Sequence, residues 1–221
     1  MTVRNRGALA ATAAGVAVLT VAGLVACASR PAGNVGSEEV RQLATASPDT
    51  GATGPAPTSV PVTRGDLPTA AATVPPVRLR IARIGVTATV DPVGVDPVSN
   101  EFEVPPSVDR IGWYRHGPGL EADTGSIVVA GHVDSAEQGA GAFFRLRELD
   151  RGDTVTATGS DGVARTYRVV AREEYPKTKI PLERYFARDG RPRLTLITCG
   201  GPFDAKARSY RDNVVVTAVP V

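Results

Sequence analysis

Hydrophobic and polar residues alternate in short stretches from about residue 77 onward. Val77 to Ile81 alternates apolar with charged side chains, which is the period of a β-strand with one buried face. Further stretches bounded by turn-forming residues are also typical of strands. They are 86–90, 101–104, 126–130, 154–158, 163–171, 194–198 and 213–219. Asp161-Gly162, between two of them, indicates a hairpin turn.

Helical periodicity is confined to two short segments. Residues 142–149 carry apolar side chains at roughly helical spacing, which predicts a short helix or turn over one end of a barrel. Residues 181–186 are expected to form one helical turn. Because long helices do not alternate with the strands, the pattern favours an all-β barrel or sandwich.

Composition divides the chain into parts. The first aromatic residue is Phe102, so residues 1–76 lack the rings that dominate core energetics. Residues 28–76 are rich in Ala, Pro, Gly, Ser and Thr and cannot bury enough apolar surface to offset the entropy of ordering. We therefore expect a disordered linker there, in which Glu38 to Leu43 forms at most an unstable helical turn. The folded domain is expected at 77–221.

Residues 1–27 have the character of an export signal or membrane anchor. Two early arginines precede an uncharged stretch at 7–26, which is just long enough to span a bilayer as an uncleaved anchor. Leu24-Val25-Ala26-Cys27, however, resembles a bacterial lipobox, in which Cys27 would become the lipidated first residue. We slightly favour the lipobox, because a cysteine in a short export signal is otherwise unexplained. Either version tethers the domain at the outer face of the bacterial cytoplasmic membrane.

The charge of the chain excludes one class of partner. The formal net charge is only +2, and acidic and basic residues are interspersed along the predicted domain. No basic patch of the kind that contacts phosphate groups is visible, so we expect no nucleic-acid partner.

Cys199 is the first candidate for chemistry. It follows the apolar run Leu194-Thr195-Leu196-Ile197-Thr198 and precedes Gly200-Gly201, which lets another backbone approach closely. Pairing with Cys27 is implausible because that residue lies in or at the membrane. A lone thiol in an exported protein is a candidate for reactivity, although free cysteines often simply pack in a core.

His132 ends another buried strand, as Cys199 does, so two strand ends could bring imidazole and thiol together. A neighbouring imidazole is a standard means of generating thiolate. The competing interpretation is a turn residue bonded locally, for instance to Asp134. Arg211 precedes the last strand and could donate hydrogen bonds to an oxyanion beside the thiol, or could be a surface residue paired with Asp212.

Other site chemistries are disfavoured. His116 lies in a glycine-proline turn and is expected to be exposed. A zinc site needs three or four ligands, which two histidines and one free cysteine without ligand spacing do not supply. No close acidic pair or phosphate loop stands out, and no metal or organic cofactor is expected.

Three motifs together resemble the sortases. They are Gly-His-Val-Asp-Ser around His132, Thr-Leu-Ile-Thr-Cys-Gly around Cys199, and Tyr-Arg-Asp-Asn around Arg211, in that order along the chain. The resemblance covers residues 77–221. The local sequence of the motifs is most similar to that of class F sortases of actinobacteria. The anchor is less diagnostic, because sortases usually carry one without a clear lipobox.

The resemblance implies an eight-stranded sortase β-barrel and a cysteine transpeptidase. Such an enzyme cuts a Leu-Pro-x-Thr-Gly-like sorting signal between Thr and Gly and transfers the acyl group to an amine of a cell-wall precursor or a protein lysine. Cys199 would be the nucleophile, His132 the acid and base, and Arg211 the oxyanion donor. The protein would work as a monomer without a cofactor, and its partners would be the sorting-signal proteins, the amine acceptor and the membrane.

Three alternatives compete with this interpretation. An L,D-transpeptidase is also an exported cysteine acyl-transferase, but its usual Ser-His-Gly-Cys cluster is absent. In a papain-like peptidase the cysteine precedes the histidine, whereas here His132 comes first. A non-catalytic cell-surface β-barrel binding module would keep Cys199 buried and inert.

Overall fold

The computed structural model describes residues 33–45, 73–98 and 101–221. The predicted signal or anchor, including Cys27, lies outside these ranges, as does the greater part of the predicted linker. The division at 27 and 76 therefore stays a prediction, apart from the ordered residues reported below.

The described chain is built mainly of strands. They are β1 (Pro76–Ile81), β2 (Val86–Val93), β3 (Ile111–Tyr114), β4 (Ser126–Gly131), β5 (Asp134–Ser135), β6 (Gly139–Ala140), β7 (Thr154–Gly159), β8 (Ala164–Pro176), β9 (Arg193–Asp204) and β10 (Ser209–Pro220). The helices are α1 (Ser37–Thr45) and α2 (Leu182–Tyr185), with 3₁₀ turns at Ala82–Ile84, Leu146–Glu148 and Lys177–Lys179.

Eight of the strands close into a barrel in the order β1-β2-β3-β4-β9-β10-β8-β7. Most neighbours are antiparallel, but β2 with β3 and β4 with β9 are parallel pairs. Strands β5 and β6 form a separate small hairpin. The expected all-β, eight-stranded barrel with short helical turns is confirmed.

The barrel interior is filled by aliphatic side chains from alternating strand positions, as a half-buried strand requires. Leu79, Ile81, Leu194 and Leu196 are among its fully buried members. The segment expected at 142–149 contributes Phe143, Leu146 and Leu149 to this core and forms a turn with a 3₁₀ segment rather than an α-helix.

Two strand predictions were wrong in detail. Residues 101–104 do not form a strand, since Phe102 makes only an isolated bridge to Val95. Strand β9 does not stop at Cys199 but continues through both glycines to Asp204, because β10 remains paired with it there. The sequence did not indicate this continuation, because glycine and polar residues after Cys199 are not typical of a strand.

The prediction of disorder was wrong for part of the linker. Helix α1 packs against the barrel, with Val40 at 0% exposure. Ahead of it, Val35 exchanges two backbone hydrogen bonds with Arg172 of β8, and Asn34 accepts a hydrogen bond from Glu174 N. The tertiary contacts stabilise a helix that would not persist alone.

Within the described ranges, no helix is long and apolar enough to cross a membrane.

The packing of α1 makes residues 33–45 part of the cooperative fold. Leu43 is 4% exposed, so Leu43→Ala should lower the free energy of unfolding by about 2–4 kcal/mol through lost burial and a residual cavity. Urea denaturation of the protein measures this change. Gln42→Ala, at an exposed position of the same helix, is the control. Equal stability of both variants would show that α1 is not part of the folded domain.

Candidate active site

The pairing of β4 with β9 sets the positions of His132 and Cys199. The two strands are parallel, and Ala130 pairs with Ile197. His132 and Cys199 each follow two residues later. Parallel neighbours advance together at a spacing of about 4.8 Å, so the two residues stand at the same level on adjacent chains. The structure therefore places these two predicted residues at neighbouring positions just beyond the end of the parallel pair.

Strand alternation places the thiol on the outer face of the barrel. Leu196 and Thr198 share one face, and Leu196 belongs to the barrel core. Cys199 shares the other face with Ile197, which packs on a second apolar cluster outside the barrel. Cys199 is half-buried and unpaired. The thiol is thus neither sealed in the core nor freely exposed.

One side-chain hydrogen bond ties the two strand ends together just before the candidate residues. The Thr198 hydroxyl donates to the carbonyl oxygen of Gly131 at 2.8 Å and is buried. Thr198 directly precedes Cys199, and Gly131 directly precedes His132. This bond therefore fixes the backbone from which both side chains project.

The His132 ring is held from the side of the β2–β3 connection. Its Nε2 lies 2.9 Å from the carbonyl oxygen of Pro105. A carbonyl only accepts, so Nε2 donates, and in the neutral imidazole Nδ1 keeps its lone pair. The local bond to Asp134 considered from the sequence is not the one that the structure shows.

Arg211 lies on β10, the other neighbour of β9. Cys199 is paired with Asn213, and Arg211 lies two residues from Asn213, at a register shift. Its Nη2 donates to Asp204 Oδ2 at 3.2 Å, and its side chain is 64% exposed. The structure therefore places Arg211 on the strand beside the thiol, with its guanidinium turned toward Asp204 rather than Asp212.

Backbone hydrogen bonds stabilise the charged form of Asp204 independently of its ion pair with Arg211. Its Oδ1 accepts hydrogen bonds from the backbone amides of Lys206 at 3.0 Å and Ala207 at 3.2 Å. These amides, and then Arg211, hold the pKa of Asp204 below its usual value. The carboxylate thus stays charged and fixes the β9–β10 turn.

The two glycines after Cys199 allow the close approach that the sequence indicated. Gly201 has a φ of 70°, and a Cβ there would lie 2.0 Å from Asp212 Oδ2. A Cβ on Gly200 would lie 2.7 Å from Val214 Cγ2. Both glycines lie within β9.

Sequence reasoning gave no role to Asn213, Pro105 and Tyr210, and considered Asp134 only as a local partner of His132. Asn213 is the cross-strand partner of Cys199, so their side chains share one face. Pro105 holds His132. The Tyr210 hydroxyl donates to a carboxylate oxygen of Asp134. Tyr210 and Asp134 stand within the motifs around Arg211 and His132, which was the available signal.

Three aromatic rings border the same outer face. Gly112 of β3 pairs with Ala130, and Tyr114 lies two residues further along β3, on the same face as Gly112. The Tyr114 ring lies 6.2 Å from that of Phe102 and 5.3 Å from that of Phe186. Phe102 comes from the β2–β3 connection and Phe186 from the β8–β9 connection. Together with Tyr114 of β3 they form an apolar wall.

The β8–β9 connection is anchored by a buried carboxylate. Glu173 is 1% exposed and accepts hydrogen bonds from the hydroxyls of Tyr185 at 2.6 Å and Tyr175 at 2.7 Å. Burial, and then the bond to Glu173, raise the pKa of Tyr185 well above its usual value. The phenol therefore remains a donor and holds α2 against the barrel.

His116 is exposed, as expected, and its Nε2 accepts a hydrogen bond from Arg115 Nε at 3.3 Å. In the part of the chain that the structure describes, no three His, Cys, Asp or Glu side chains converge as metal ligands.

Comparison with solved structures finds the same fold in sortases. A crystal structure of Streptococcus agalactiae sortase C1 has 15% identity and a TM-score of 0.50, covering 65% of this chain and 66% of that one. Sortase C-1 from Actinomyces oris has 22% identity and a TM-score of 0.50, covering 66% and 72%. A lid mutant of sortase A from Corynebacterium diphtheriae has 21% identity and a TM-score of 0.50, covering 68% and 73%. The chain thus spans just under two thirds of the first of these proteins.

Comparison with curated protein sequences gives no match. The sequence model of the sortase domain matches residues 79–221, which is more than half of the chain and includes His132, Cys199 and Arg211. On this match, the chain belongs to the sortase family.

Proposed function

We propose that this sortase-family protein is a cysteine transpeptidase that cleaves an LPxTG-like sorting signal between Thr and Gly and transfers the acyl group to an amine. The observation that carries the proposal is that His132 and Cys199 each lie two residues beyond Ala130 and Ile197, the last pair of the parallel strands β4 and β9. The local motifs additionally support class F within the family.

The chemistry follows from the placement. The Cys199 thiolate attacks the Thr carbonyl carbon, forming a C–S bond, while the charge that develops on the carbonyl oxygen is held by Arg211. As the C–N bond to Gly breaks, protonated His132 gives its proton to the departing amine. An incoming amine then attacks the thioester, His132 takes its proton, and the thiolate is released.

Arg211 must turn from Asp204 to serve the oxyanion. Its side chain is 64% exposed, and an exposed ion pair stabilises a structure only weakly. Exchanging Asp204 for a substrate oxygen therefore costs little. The planar guanidinium donates two parallel hydrogen bonds, which a lysine cannot do.

The apolar wall supports a peptide substrate with apolar residues, such as the Leu and Pro of an LPxTG-like signal, upstream of the Thr at the cleaved bond. Tyr114 lies on the same face of β3 as Gly112, the partner of Ala130, and its ring contacts those of Phe102 and Phe186. The acceptor is proposed to be an amine of a cell-wall precursor or a protein lysine.

The competing binding module predicts a fully buried, inert cysteine. Cys199 is instead half-buried beside a histidine with a fixed ring. This disfavours the non-catalytic alternative.

Cys199→Ala should abolish cleavage of a quenched fluorescent LPxTG peptide, because the attacking sulfur is removed. His132→Ala should lower kcat/KM by about 10³-fold through the loss of proton transfer. His116→Ala, which changes the exposed second histidine, is the matched control and should retain wild-type activity. Turnover by Cys199→Ala would refute the assignment of the nucleophile.

Arg211→Lys keeps the charge but removes the planar fork, so we expect roughly a 10²-fold lower kcat with the melting temperature unchanged. Steady-state kinetics and thermal denaturation measure the two. Arg168→Lys, at an exposed position of β8 paired with Val219, is the control. Full activity of Arg211→Lys would make Arg211 a structural residue.

We also propose that the domain is tethered to the outer face of the membrane through a lipidated Cys27. Mass spectrometry of the native protein should then show residues 1–26 removed and a diacylglyceryl group on Cys27. Cys27→Ser should retain the N-terminal segment. Intact Met1 in the wild-type protein would instead establish the uncleaved anchor.

A further inference from the structure

A hydrogen bond outside the three candidate residues joins the segments that carry two of them. The Tyr210 hydroxyl donates to a carboxylate oxygen of Asp134. Tyr210 directly precedes Arg211, and Asp134 follows His132 by two residues. Strand β9, with Cys199, lies between β4 and β10 in the barrel. This Asp134–Tyr210 bridge therefore crosses the strand of the thiol.

Each end of the bridge is supported by other contacts. Asp134 pairs with Ala140 in the β5–β6 hairpin, and the Gly141 amide donates to the carbonyl oxygen of Val133 at 2.8 Å. On the other side, the Tyr210 ring packs edge-on against Phe203, with centroids 5.1 Å apart. Both side chains are therefore held in position by contacts other than the hydrogen bond between them.

The surroundings of the Tyr210 hydroxyl keep it protonated, so that it can donate the hydrogen bond of the bridge. The bond to Asp134, partial burial, and then the negative charge of Asp134 raise the pKa of Tyr210 above its usual value. The phenol therefore stays protonated and remains a donor to Asp134. The bridge also lies near the thiol along the sheet, because Tyr210 is three residues before Asn213, the cross-strand partner of Cys199.

We propose that Asp134 and Tyr210 are positioning residues, whose hydrogen bond fixes the separation between the His132 and Arg211 segments across Cys199. This inference rests on the proposed transpeptidase function. Neither residue takes part in bond making; they act through the histidine and the arginine that they hold. Misplacing a catalytic group by about 1 Å can cost on the order of 10²-fold in rate.

Full-length protein variants test the proposal with the LPxTG peptide. Tyr210→Phe and Asp134→Ala should each lower kcat about 10- to 100-fold, with KM within twofold of wild type and the melting temperature unchanged. The double variant should be no slower than either single one, because both remove the same bond. Asp134→Asn keeps an acceptor oxygen and should recover a large part of the activity.

Tyr167→Phe is the matched control, since it removes a tyrosine hydroxyl from β8 at a position paired with Pro220 near the end of β10. Wild-type kcat in Tyr210→Phe, or additive losses in the double variant, would overturn the proposal. If the wild-type protein does not cleave the peptide, the proposed function fails instead.

Amide hydrogen exchange tests, without any substrate, whether the Asp134–Tyr210 bridge orders the two segments that it joins. Exchange at residues 132–135 and 209–212 should become faster in Tyr210→Phe and not in Tyr167→Phe. Unchanged exchange in both variants would overturn the bridge.

Discussion

The parallel pairing of β4 with β9 is the constraint on which the candidate site depends. In a parallel pair both carboxyl ends lie at the same edge, so residues that follow the two strands meet without any special loop. Here the pairs run from Ser126 with Arg193 to Ala130 with Ile197. His132 and Cys199 are the next residues on that face. Thr198, bonded to Gly131, holds the pairing just where the regular ladder ends.

The same alternation that builds the barrel core supplies an outer face for the site. Leu194 and Leu196 point into the barrel, and the intervening residues of β9 point out. The apolar residues of that outer face are covered by α1 and by the β8–β9 connection. Val40 and Tyr185 are fully buried there. A buried carboxylate such as Glu173 would destabilise this layer unless it were hydrogen-bonded. Two tyrosine hydroxyls meet that requirement.

Local pattern was sufficient to predict the fold class and to select Cys199 and His132, because strands and their ends are visible as alternation and as glycine breaks. It was not sufficient for α1, whose helix depends on packing with Val40 beneath it rather than on its own propensity. It also could not show that β9 continues past Cys199, since polar and glycine residues are paired there by β10. Contacts such as His132 with Pro105 join residues 27 positions apart, and no spacing rule in the sequence encodes them.

His132 and Cys199 are held more rigidly than Arg211, and this difference is compatible with acyl transfer. His132 is fixed by a half-buried hydrogen bond, and Cys199 lies on a strand that β10 still pairs at that position, so the proposed nucleophile and the proposed proton carrier are held in advance of substrate. Arg211 is exposed and bonded to Asp204, an anion already satisfied by two backbone amides. In the proposed mechanism, Asp204 therefore keeps its charge and its turn when the guanidinium of Arg211 turns to the substrate. An oxyanion exists only during the reaction, so a donor that can turn toward it and return to a stable partner is compatible with repeated turnover.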